Sequence, residues 1–271
     1  MPASPLSAPG VLLTALGAAA IAGLLTGAVF VGRPPAAAAV LIIQVAVALG
    51  WLGLVGMSVG LIDLGIVAAA AVAADVVLLH SRQAGPGSLA PVIGVTFVAA
   101  IVRQLGRRQR SEVTNALITT ASAVALCCAP TLVIPLGLGD TGRAVAASGL
   151  LAAAAALGAG ALVRFALLSV LPGGTTQAQV IAGAAAVVVG AAAAIVLSLV
   201  VASGVAGGRA LDKGDACAIG LVTALAAGLG CVAVVRGLPA SRVLGLPALA
   251  ACLPVVFAAP TAYVVGRILL S

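Results

Sequence analysis

The chain has 271 residues, of which 63% are hydrophobic and 7% charged, with a formal net charge of +7 and a mean hydropathy of +1.32. Soluble domains carry about 25% charged residues, so a soluble globular enzyme is excluded, and an aromatic content of 2% excludes a transmembrane β-barrel with its aromatic girdles. The basic excess lies in short clusters between long apolar runs and has no interleaved aromatics, which points to membrane orientation and anionic head groups and away from nucleic acid.

The fold class that follows is all-α, a polytopic bundle of transmembrane helices, because about 20 apolar residues are needed to cross a bilayer core. Nine spans can be drawn. The first, 11–31, is closed by Arg33, Pro34 and Pro35, and the second covers 36–54. The segment before residue 11 has no Lys or Arg, so the first span reads as a retained helix and not as a cleaved signal peptide. A glycine-spaced turn at 56–60 leads into the third span, 61–79, and a polar loop follows it. The fourth, 88–102, is short enough to tilt or re-enter, and Arg103, Arg107, Arg108 and Arg110 follow it. The fifth covers 113–136, with Pro130 and Pro135 near its end. The sixth to ninth cover 144–170, 180–205, 216–235 and 244–270. Residues 1–271 read as one integral membrane domain, in which 11–110 form N-terminal helices and 111–271 a second group.

Loops after even-numbered spans hold seven basic residues and those after odd-numbered spans six, so the totals decide no orientation. Four arginines within residues 103–110 resist translocation, which places that loop and the N-terminus in the cytoplasm. Gly23/Gly27 and Gly56/Gly60 have GxxxG spacing and are expected to bring helices together. The five cysteines form no CxxC pair and His80 is the single histidine, so they read as small buried apolar residues, with no metal site and no cofactor.

Polar residues inside spans are costly, so they mark a cavity, an ion path or a partner. Asp63 and Asp75 both fall on the third span, twelve residues and therefore roughly 18 Å apart, too far to act as one carboxylate pair. Asp63 reads as an interfacial or capping residue, and Asp75 as a salt-link partner of Arg82 or a cavity residue. Asn115, Thr119 and Ser122 share one face of the fifth span and are expected to hydrogen-bond between helices. Arg164, Arg107 and Arg108 are candidates for lipid-phosphate contact; snorkelling and topology are the plainer readings of them. No P-loop, HExxH or Ser/His/Asp set is present, and no acidic pair is placed to hold a metal near a nucleotide.

Residues 253–263 read Leu-Pro-Val-Val-Phe-Ala-Ala-Pro-Thr-Ala-Tyr. This resembles the closing helix of the bacterial phosphatidate cytidylyltransferases (CDP-diacylglycerol synthases), roughly Asp-Ser-Leu-Leu-Phe-Ala-Ala-Pro-Val-x-Tyr. The arginine cluster, the Ala/Thr-rich fifth span and the Gly-Asp-Thr-Gly-Arg turn at 139–143 follow that family's order of segments, so the resemblance covers 111–271. The family's acids are missing. Its Asp-Thr-Gly-Ala-Tyr motif meets Gly-Ala-Gly-Ala-Leu at 158–162, and its Pro-Lys-Lys-Ser-Trp-Glu-Gly loop meets Gly-Gly-Thr-Thr-Gln-Ala-Gln at 173–179. Its Gly-Asp-x-x-Glu-Ser-x-x-Lys-Arg segment falls on 230–235, which hold no acid, and only Ser-Arg-Val-Leu-Gly at 241–245 stands where His-Gly-Gly and Asp-Arg-x-Asp belong. No catalytic residue carries over. The resemblance therefore implies a catalytically inactive relative in the cell inner membrane that binds phospholipid or regulates envelope-lipid metabolism. A small-solute permease and a scaffold subunit are the other readings. Membrane lipids are the expected partners, and the glycine-rich faces allow a homodimer or another membrane protein.

Overall fold

The computed structural model describes residues 8–55, 61–81, 86–106, 113–170, 185, 188–200, 212–237 and 246–269. All regular structure there is helical, with no strand among the described residues. The helices are α1 (Ala8–Val31), α2 (Arg33–Val55), α3 (Leu61–His80), α4 (Ala90–Leu105), α5 (Val113–Cys128), α6 (Asp140–Val170), α7 (Val188–Val200), α8 (Lys213–Gly237) and α9 (Leu246–Leu269). Two 3₁₀ segments, Pro86–Leu89 and Ala129–Leu138, precede α4 and follow α5.

Six stretches are long and apolar enough to cross a membrane: Arg33–Trp51, Ile62–His80, Gly87–Leu105, Ala116–Leu138, Asp140–Gly160 and Ala251–Leu269. Among the described residues, Leu16–Val31, Val188–Val200 and Gly214–Gly228 are apolar but shorter. The protein is thus a helical membrane protein with at least these six crossings in reach of its length and composition. Its outward side chains agree with a lipid solvent. Leu41, Ile42, Val45 and Leu49 on α2 and Val95, Val98, Val102 and Leu105 on α4 are all exposed.

Several boundaries differ from the sequence reading for identifiable reasons. Gly32 has φ +144°, a conformation that favours glycine, and it turns the chain so that α2 starts at Arg33 and not after the two prolines. Pro34 and Pro35 then occupy the first turn of α2, where a missing N–H forfeits no helical bond. The fourth span is not short, because the 3₁₀ turn and α4 run on from Gly87 to Leu105, 19 residues apolar enough on average to cross a membrane. The fifth span stops being α-helical at Cys128. Pro130 and Pro135 lie in the tighter 3₁₀ segment, whose residues 130–137 are all buried.

The interior is organised around α9, which packs against α1, α2, α6, α8 and the Ala129–Leu138 segment. Lipid tails are as apolar as leucine, so helices gain by close backbone approach and not by burying apolar area from water. A methyl group at Gly149 would lie 2.7 Å from Ala262 Cβ, and one at Gly266 would lie 2.6 Å from Val145 Cγ1, so α6 and α9 meet glycine against small side chain at two levels. The α7–α8 contact is built likewise, with Gly220 against Ser198. Gly23 and Gly27, expected to form a helix contact, have nothing within 4 Å of an added Cβ. Gly56 and Gly60 lie outside the described residues. Pro254 and Pro260 stand inside α9, and the Thr261 hydroxyl donates to the Phe257 and Ala258 carbonyls of the same helix at 2.9 Å each.

Replacing Gly149 by Ala forces the α6 and α9 backbones apart and is expected to destabilise the protein by about 1–3 kcal/mol, as overpacking does. Gly23→Ala, in open surroundings, is expected to be neutral or to stabilise by up to about 1 kcal/mol through helix propensity. Thermal unfolding of the purified protein in one detergent, followed by size-exclusion chromatography, compares the two.

Candidate functional site

Among the described residues, every buried charged or carboxamide side chain lies on α2, α3 or α4: Gln44, Asp63, Asp75 and Gln104. The buried polar residues on α1, α6, α7 and α8 are Thr26, Ser148, Ser198 and Thr223, and the last three spend their hydroxyls on carbonyls of their own helices. The polar chemistry is therefore concentrated in α2–α5, which pack on one another.

Four levels of polar contact cross this group. At one end, Arg33 in the first turn of α2 donates through Nη2 to the carbonyls of Leu78 and of Ser81, the latter at 3.1 Å, where α3 ends. The last carbonyls of a helix lack intrahelical donors and carry its negative dipole end, so a guanidinium is a fitting cap. This contact fixes α2 and α3 antiparallel.

Gln44 and Asp75 form the next level. Gln44 stands eleven residues from either end of α2, at its midpoint and roughly 16 Å from each terminus. It is 1% exposed, and its Nε2 donates to Asp75 Oδ1 at 3.1 Å. Asp75 is 8% exposed, and no ion pair to it occurs among the described residues. The Cys127 thiol of α5 donates to the Gln44 main-chain oxygen at 3.7 Å. Gln44 Oε1 is buried, with no hydrogen-bond donor among the described residues. The expected link from Asp75 to Arg82 does not form this level; Asp75 turns inward to α2, and Arg82 lies outside the described residues.

Trp51 marks the third level. Near the far end of α2, its Nε1 donates to the Thr119 carbonyl of α5 at 3.3 Å. Of the hydroxyls expected to link helices, Ser122 bonds within its own helix, to Ile118 and Thr119, as does the neighbouring Thr120, to Ala116. Asn115 stands on α5, and its side chain lies outside the described residues.

Asp63 and Arg103 form the fourth level. Asp63, in the first turn of α3, is buried at 3% exposure, with Oδ1 4.0 Å from Arg103 Nε near the end of α4. It is a buried interhelical charge partner. The next residue on α4, Gln104, is 2% exposed, and neither amide atom has a hydrogen-bond partner among the described residues. It continues the buried stripe Thr96, Ala100, Gln104, whose i, i+4, i+8 spacing puts all three on one face.

The structure thus buries both Asp63 and Asp75, about a third of a turn apart around α3, and gives each a partner from a different helix. Gln44, Arg33, Arg103 and Gln104 were not singled out from sequence as site residues. The available signal was weak but real: Gln44 is the single amide in the apolar run of α2, and an intramembrane amide is costly without a role. Arg107 and Arg108 lie outside the described residues, as does the side chain of Arg164 on α6. No group of three or more His, Cys, Asp or Glu side chains suited to a metal occurs among the described residues. The chain matches no protein-family model, no curated protein and no solved structure.

Gln44→Leu removes the donor to a buried carboxylate and is expected to destabilise by about 1–3 kcal/mol, whereas Gln44→Leu with Asp75→Leu is expected to recover most of that loss, because no polar group is then stranded. Arg103→Gln removes the guanidinium beside Asp63 and is expected to cost at most about 3 kcal/mol, the low end for a buried pair, because Arg103 keeps partial surface contact. Adding Asp63→Asn to Arg103→Gln should restore stability. Melting temperatures of single and double variants in the same detergent test both pairs.

Proposed function

We propose that the protein is a multi-pass inner-membrane permease of nine spans, in which a small cation or polar solute crosses along the polar face of α2–α5. The observation that carries this reading is Asp75. A carboxylate five residues inside the end of α3, bonded among the described residues to a neutral amide at the middle of α2, does little for packing and is costly to keep in hydrocarbon. Such groups serve ion and proton pathways. The levels at Trp51 and at Asp63 with Arg103 continue the polar face toward the other side. The amide of Gln104, without a partner among the described residues, offers a donor and an acceptor close to that end.

A second reading treats the chain as an inactive relative of the phosphatidate cytidylyltransferases that binds phospholipid at Arg107, Arg108 and Arg164. The segment 253–263 favours it. In the bundle this segment belongs to α9, and most of its side chains are buried against other helices, a placement that suits structural packing at least as well as a lipid groove. With the family's acids absent, CTP-dependent formation of CDP-diacylglycerol from phosphatidic acid and magnesium is expected to stay at background.

The permease reading predicts transient currents when proteoliposomes on a solid-supported membrane receive a jump in pH or in K⁺ concentration. Asp75→Asn should reduce them at least tenfold. Asp140→Asn, which alters an exposed pair with Arg143, should leave them unchanged. Absence of current from the folded wild-type chain would sink the permease reading, and phospholipid retained by the purified protein, lost on replacing Arg107, Arg108 and Arg164, would support the second.

A further inference from the structure

We infer that Asp75 and Gln44 form a proton-carrying pair, in which the side-chain amide of Gln44 turns over as Asp75 gains or loses its proton. This deepens the permease reading and rests on it for its role in transport, by naming the proton as the ion bound. In the arrangement seen, Gln44 Nε2 donates to Asp75 Oδ1, the pairing that suits an unprotonated, acceptor-only carboxylate. The other end of the same amide, Oε1, is buried with no donor among the described residues. A buried amide oxygen without a partner costs free energy, and the Asp75 carboxyl, already bonded to the same amide, becomes a donor when it is protonated. A half-turn about the last side-chain bond of Gln44 exchanges Nε2 and Oε1, and the protonated carboxyl then donates its O–H to Oε1. Only an O–H bond forms or breaks in each step, and water brings or takes the proton.

The surroundings suit one exchangeable proton and not a second charge. Facing Asp75, α2 brings Gln44, and α5 brings Cys127, bonded to the Gln44 carbonyl, and Cys128, within the field of the carboxylate. The one charged or titratable side chain of α4 between Ala90 and Leu105 is Arg103, held at Asp63. The segments Pro86–Leu89 and Ala129–Leu138, which also touch α3, contain no titratable side chain. Arg33 is engaged by the terminal carbonyls of α3, and His80 is exposed, its ring on the Val76 carbonyl.

Infrared difference spectroscopy on the full-length protein in lipid nanodiscs, cycled between acidic and alkaline buffer, reads the proton directly. The expected result is a protonated-carboxyl stretch that appears in acid, persists in Asp63→Asn and vanishes in Asp75→Asn. Asp75→Glu, which keeps the acid, should restore a shifted band even if Asp75→Asn folds poorly. Gln44→Leu should move the band to higher frequency, as expected when the carboxyl loses its hydrogen-bond acceptor. A band that survives in folded Asp75→Asn, the absence of any such band, or a band indifferent to Gln44→Leu would overturn the inference. Proton flux, followed with pyranine trapped in proteoliposomes, separates the two readings. The band without flux would keep the proton site and overturn the permease, whereas flux without a band assigned to Asp75 would keep the permease and overturn this site.

Discussion

Close approach of α6 and α9 is the contact on which the rest of the bundle depends. In a bilayer, leucine gains nothing by leaving lipid for a helix, so association rests on dispersion between surfaces that fit and on hydrogen bonds. Gly149 and Gly266 let α9 lie against α6 with only the Ala262 and Val145 side chains at those two points. From that position α9 also touches α1, α2 and α8. It carries two internal prolines, and the Thr261 hydroxyl next to the second bonds the Phe257 and Ala258 carbonyls.

With α1, α6, α8 and α9 supplying a largely apolar frame, α2–α5 can carry the polar residues. The division has a physical reason. A buried charge or amide needs a partner within hydrogen-bond reach, and partners cannot be scattered singly through a bundle. Here they come in cross-helix levels: Arg33 on the end of α3, Gln44 on Asp75, Trp51 on Thr119, and Asp63 beside Arg103. Each level also ties a particular pair of helices together, so the polar contacts specify which helices are neighbours, a task apolar side chains do poorly in lipid. Three of the four are accounted for by that structural role. A guanidinium caps a helix, an indole N–H finds a carbonyl, and a carboxylate meets a guanidinium. Asp75 is different because a neutral amide would tie α2 to α3 as well with asparagine in its place, at lower desolvation cost.

The helices themselves were legible in the sequence. Long apolar runs broken by charge, glycine and proline placed most helix ends within a few residues, since length and hydropathy alone decide what can cross a bilayer. Boundaries moved where a local geometric solution was unreadable in one dimension. Gly32 turns the chain tightly enough for Pro34 and Pro35 to start α2, and the prolines at 130 and 135 stand in a 3₁₀ segment and not at a helix end. The glycine pattern misled. GxxxG spacing at Gly23 and Gly27 proved to face open surroundings, while the glycines at the helix contacts sit opposite small residues far away in the chain.

The sequence by itself determined the solvent of this protein, its helical class and the identity of its two costly carboxylates, because each of these follows from transfer free energies summed along one segment. Only the tertiary structure decided what the carboxylates meet. Asp63 and Asp75 are both aspartates on one apolar helix, and no local pattern separates an aspartate facing Arg103 from one facing Gln44, residues 40 and 31 positions away. That distinction arises from helix pairing, which small-residue contacts between distant segments set, and it turns one carboxylate into a structural ion pair and leaves the other as the candidate functional group.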